Sequence, residues 1–97
     1  MEKVNIFLTS GEVRTTRGDG FDFKGERFVI HKPVAGVGLN NGFVVTHSPS
    51  GCLCGWGASK EEARGNVKGR AENYIKLKGF KSFKQKMKEA KERYDAR

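Results

Sequence analysis

Cysteine is scarce in this chain, and the two present, Cys52 and Cys54, lie two positions apart. A pair that close cannot close a useful disulfide loop and no further thiol is available. A disulfide-stapled scaffold is therefore excluded, and a reducing, intracellular setting fits best. Long apolar runs are absent too: nothing approaches the roughly 18 residues that a membrane span needs. The opening MEKVNIFLTS lacks the basic and apolar regions of a secretory signal. The expected location is the cytoplasm, with no membrane partner.

Acidic residues are the minority charge, 11 against 19 Lys and Arg, and the net charge is +8. The imbalance is local. Residues 1–59 hold six basic and five acidic side chains; residues 60–97 hold thirteen and six, an excess of seven. A field that lopsided favours polyanions or an acidic protein face, and carries no information about fold. At 97 residues, 36% of them hydrophobic, the chain supports one thin core.

Period-2 alternation marks the first half. Lys3 to Thr9 reads as a half-buried strand, with Ser10-Gly11 as a turn before a second strand over 12–16. Arg17 to Gly25 contains three glycines and no sustained period, which predicts a loop whose Phe21 and Phe23 fold back onto the core. Arg27 to Lys32 predicts a strand ended by Pro33, which has no N–H for a ladder. A Gly/Asn-rich connection over 35–42 follows. Phe43 to His47 and Cys52 to Gly57 then predict a hairpin around Ser48-Pro49-Ser50-Gly51, pairing Phe43 with Trp56, Val45 with Cys54 and His47 with Cys52.

At Ser59 the period changes to 3.6. Ser59 and Glu62 form a capping box, and Ala63, Val67, Ala71, Tyr74 and Leu77 recur at helical spacing up to a C-terminal cap at Gly79. A second box, Ser82 with Gln85, predicts another helix near 82–95, held through Phe83, Met87, Ala90 and Tyr94. The fold class expected is α+β: an antiparallel sheet of about four or five strands, packed on one face by helix 59–78. The domain spans 1–79, and residues 80–97 form a lysine-rich helix that is loosely docked or projects.

The candidate binding residues are basic. Lys60, Arg64 and Lys68 climb one flank of the first helix, and Lys76, Lys78, Lys81, Lys84, Lys86, Lys88, Lys91 and Arg93 spread around the second helix and its connection. Phosphate neutralisation needs many such cations, with binding that weakens steeply as salt rises. A solvated face interleaved with Glu72, Glu89 and Glu92 is the plainer reading of the same residues. Gly65 and Gly69 lie in the interior of the first helix, at a joint cost of about 1.5–2 kcal/mol against alanine. That cost points either to close approach of a phosphate chain, a partner or the second helix, or to simple tolerance.

Other constellations are weaker. Cys52 and Cys54 with His31 and His47 have the composition of a zinc site, but residues two apart on a strand stand roughly 6.5–7 Å apart, too far for tetrahedral thiolates. The two histidines have the chemistry for acid–base cleavage of RNA, without any motif placing a nucleophile or metal beside them. GVGLNNG contains Gly-x-Gly but leads into a strand where a nucleotide fingerprint needs a helix. No cofactor is expected and no enzymatic activity.

Gly55, Gly57, Ser59, Lys60, Ala63 and Arg64 resemble the last strand and C-terminal helix of double-stranded RNA-binding domains, with Glu61 where that family has a second lysine. The resemblance implies that Lys60 and Arg64 grip phosphates across the major groove. Gly51, Cys52, Gly57, Ser59, Glu61, Glu62, Ala63 and Asn66 are similar to HicB-type antitoxins, which implies binding to a protein partner. In overall layout the chain resembles small accessory proteins of phages and mobile elements, some of which inhibit nucleoprotein machines such as CRISPR effectors; a bacterial host's cytoplasm would then be the setting. The leading expectation is a non-enzymatic nucleic-acid or nucleoprotein-binding module. The alternatives are a protein-binding inhibitor or regulator and, behind it, a histidine-dependent ribonuclease.

Overall fold

A computed structural model describes residues 1–8, 11–33 and 42–95, the last two of these through their backbone. The order is β1 (Glu2–Phe7), β2 (Val13–Phe23), β3 (Glu26–His31), β4 (Phe43–His47), β5 (Cys52–Gly57), α1 (Lys60–Lys78) and α2 (Phe80–Asp95). The five strands form an antiparallel meander in sequence order, so the expected α+β class with a five-stranded sheet is what the chain adopts. The predicted Gly/Asn-rich connection over 35–42 lies, apart from Gly42, outside the described residues. No helix among the described residues is long and apolar enough to cross a membrane.

The segment 17–25 corrects the sequence reading. Arg17 to Phe23 is strand, not loop: β2 runs eleven residues, pairing with β1 through its first half and with β3 through its second. Only Lys24 and Gly25 turn, both at positive φ (54° and 81°), as a two-residue hairpin connection requires. The glycines serve the bend between the halves. A Cβ on Gly18 would lie 2.0 Å from the Ile30 carbonyl oxygen, so only hydrogen fits there.

That bend brings the β1–β2 ribbon across the back of the sheet. Glu2 of β1 reaches Arg27 of β3, with hydrogen bonds of 3.1 and 3.2 Å to Nε, and the Phe7 N–H donates to the Gly51 carbonyl at 3.0 Å. Val4 and Ile6 are buried by this closure, as are Val29, His31, Val44 and Thr46, which alternate away from α1. Both faces of β3 and β4 are consequently interior.

On the front face Phe28, Ile30, Val45, Ala63 and Val67 form the core, edged by Phe21, Phe23, Phe43 and Cys54. The α1 stripe is made of small side chains, and β5 answers with glycines. A Cβ on Gly57 would stand 2.3 Å from the Ala63 nitrogen, and one on Gly55 2.7 Å from Val67 Cγ2. The helix can lie this close only because those positions carry no side chain. Ser59 caps α1 as expected, accepting from the Glu62 N–H at 3.1 Å, and the Gly79 N–H closes it on Ile75.

Several finer expectations are corrected. In the β4–β5 hairpin His47 does pair with Cys52, but Phe43 pairs with Gly57 and Val45 with Gly55, because a bulge at Val45/Thr46 inserts one extra residue. Leu77, expected on the buried stripe, is 80% exposed, since α1 has by then run past the sheet. Ser82 does not cap α2. That helix begins at Phe80, directly after Gly79, and is docked by buried Phe83 and Ala90 with half-buried Met87. The Tyr94 side chain lies outside the described residues.

Candidate nucleic-acid interface

The α1 flank carrying Lys60, Arg64 and Lys68 rests on a row of phenylalanines supplied by the sheet. Lys60 Nζ stands 5.7 Å from the Phe43 ring centroid, Arg64 5.5 Å from Phe21, and Lys68 6.0 and 5.7 Å from Phe21 and Phe23. Lys24, at the β2–β3 turn, lies 5.5 Å from the same Phe23 ring. Each phenylalanine packs against the core and also lies within about 6 Å of a cation, an electrostatically favourable contact. Phe21 and Phe23 thus fold back onto the core as expected, and additionally seat the charges.

The strip continues onto α2. Lys84 Nζ donates to the Lys24 carbonyl at 3.3 Å and pairs with Glu26. Helical geometry places Lys81, Lys88 and Lys91 on the same flank as Lys84, within about 80° of one another. Chain positions far apart therefore share one face.

The candidate cations are not equivalent. Lys60 is bound to Asp19 at 2.7 Å, and that contact holds the Asp19 carboxyl below its ordinary range. Lys84 is committed to Glu26. Arg64 and Lys68 form no ion pair within 4 Å among the described residues, although Arg64 also helps to lower the Asp19 carboxyl, and Arg64 Nε is buried without a hydrogen bond. Lys76, Lys78, Lys81 and Lys88 project from exposed positions. Lys86 and Arg93 lie on the other flank of α2, with Lys86 4.7 Å from the Tyr74 ring.

Gly65 and Gly69 face outward. No atom outside the helix's own nearby backbone comes within 4 Å of a Cβ built at either, so α2 is not what approaches them. Gly65 is about 60° around the helix from Lys68, which leaves a bare stretch of backbone beside the strip.

The histidines are not brought together. His31 lies on the back face, with Nε2 on Thr46 Oγ1 at 2.7 Å and Nδ1 on the Lys32 carbonyl at 2.8 Å. His47 lies on the front, 5.4 Å from the Phe28 ring. Its neutral ring donates Nε2–H to Glu26 Oε1 at 2.8 Å and accepts from the Ser50 hydroxyl at 2.6 Å, while the Cys52 N–H donates to Ser50 Oγ at 3.3 Å. Ser50, His47 and Glu26 have the composition of a hydrolytic triad, but Ser50 and His47 are each 1% exposed, and the Ser50 hydroxyl is engaged by the His47 ring. Burial pushes the His47 pKa down to about 4 and lowers that of His31. The Glu26 carboxylate favours a charged His47 ring, yet Lys84 already engages that carboxylate, and desolvation prevails. With His31 on the opposite face, the four residues considered for zinc do not converge, and no cluster of three or more potential ligands occurs among the described residues.

Sequence reasoning overlooked Lys24 and the aromatic row. The signal was Phe21-Asp22-Phe23 ahead of a Lys24-Gly25 turn, an alternating strand end concealed by neighbouring glycines. The residues shared with double-stranded RNA-binding domains and antitoxins are also explained locally: Gly55 and Gly57 admit the helix, Ser59 caps it, and Ala63 packs under it. Comparison of the chain with family models, curated proteins and solved structures finds no match.

Proposed function

We propose that this chain is a non-enzymatic nucleic-acid or nucleoprotein-binding module whose cationic strip takes a phosphate backbone. The observation that carries the reading is the strip's continuity: Arg64, Lys68 and Lys24 share the Phe21/Phe23 surface, and Lys84 extends it to α2. Cations held on aromatic rings are partly pre-positioned, which lowers the entropy lost when a phosphate docks. Bare backbone at Gly65 and Gly69 lets such a chain approach α1 closely.

Gel-shift titrations against duplex DNA, duplex RNA and single strands test the proposal. Binding should appear at low salt, and the Lys24→Gln/Lys68→Gln variant should flatten the slope of log affinity against log salt by about 1.5–2. No binding at about 50 mM salt sinks the proposal. The rival then stands: the same strip on an acidic protein face, as in a phage-type inhibitor or an antitoxin.

A further inference from the structure

On the other side of α2 the structure contains a cleft of about 330 Å³ between β5, α1 and α2. That volume is at the small end of the range for sites that take small molecules. Phe28, Val67, Phe83 and Met87 supply an apolar floor. The polar groups reaching it carry no charge: burial pushes the Cys54 thiol up to about 11, and His47 and Ser50 are bound to one another.

Charge enters only from cations. Arg70 of α1 and Lys86 and Arg93 of α2 line the cleft, and among its described lining residues there is no aspartate or glutamate. Arg70 spends one nitrogen on the Cys54 carbonyl at 3.2 Å, leaving the rest of its guanidinium fork. Lys86 rests on Tyr74, a ring rather than a carboxylate. The contrast with the strip, where Lys60 and Lys84 are neutralised by Asp19 and Glu26, is chemical. Three cations beside an apolar floor are complementary to an apolar body that bears a negative head.

We propose that this cleft binds an amphipathic anion, a small molecule with an apolar chain or ring body and one carboxylate or phosphate head. The body covers the Phe28 and Phe83 floor, and the head sits among Arg70, Lys86 and Arg93. The site is independent of the nucleic-acid reading, since Lys86 lies about 160° around α2 from Lys84.

Amide chemical-shift titrations of the full chain test it, with decanoate, decyl phosphate, decanol and acetate below micellar concentrations. At least one decyl anion should saturably shift Leu53, Ala71 and Met87, binding about tenfold or more tighter than decanol, as charge-assisted contacts imply. The tighter anion identifies the head group. Acetate should leave these resonances unmoved. Arg70→Gln/Arg93→Gln, both exposed side chains, should erase the advantage of anion over alcohol, whereas Lys24→Gln/Lys68→Gln should retain it. Equal affinity for decanol and both anions, acetate shifts matching theirs, or shifts confined to residues outside the cleft would each overturn the proposal.

Discussion

Lys84 of α2 and Glu26 of β3, 58 residues apart in sequence, form an ion pair, and the other oxygen of the same carboxylate accepts from His47. The contact joins the last helix to the sheet and, through His47 and Ser50, to the β4–β5 turn. It is the polar counterpart of the buried Phe83 and Ala90.

Removing one partner should leave the other poorly compensated. Lys84→Met strands a carboxylate that is only 12% exposed, at an expected cost of roughly 1–2 kcal/mol, discounted for the partial exposure of the lysine. Hydrogen exchange should quicken in α2 before α1. Unchanged protection in α2 would show that Phe83 and Ala90 dock the helix without the pair.

Acid should weaken the fold through the histidines. The folded pKa of His47, about 4, lies below its ordinary 6.5, so between these values the unfolded chain binds more protons. The stability due to the neutral ring is complete above 6.5 and is lost as pH falls toward 4, at up to about 1.4 kcal/mol per pH unit. His31 acts in the same direction. Urea midpoints at pH 7.5 and 5.0 should differ for the native chain and less for His47→Gln; identical midpoints for the native chain would refute this account.

Alanine at Gly65 or Gly69 meets open space and should raise stability by about 0.8–1 kcal/mol per site. If a phosphate chain lies on that backbone, the same changes lower affinity while raising the melting temperature. A rise in both would assign the glycines to simple tolerance.

The opposite outcome is expected at Gly57, where a Cβ would meet the Ala63 backbone nitrogen at 2.3 Å. Gly57→Ala must lift the start of α1 from β5, costing about 2–3 kcal/mol or more. Circular dichroism on urea titration reads the loss. A cost below that of an ordinary surface change would mean that the helix shifts freely.

Local chemistry was legible in the residues themselves. Ser59, Glu62 and Gly79 bound α1 through bonds made within a few positions, and Ser48 to Gly51 turn where they should, since such signals act over a few residues. The α+β class follows from the change of period at Ser59. Properties that depend on remote partners were not legible. Gly18 and Gly20 mark a loop when read alone and a bent strand once Ile30 and Arg27 lie against them. Leu77 fits a stripe on paper and meets no sheet. The basic C-terminal half was evident as a charge count, but which cations are free was decided by folding. Asp19 and Glu26 come from the nearly neutral half to neutralise Lys60 and Lys84, while Phe21 and Phe23 arrive beneath Arg64 and Lys68. Composition sets the total charge, and only the packing of distant strands against helices determines where that charge remains unpaired.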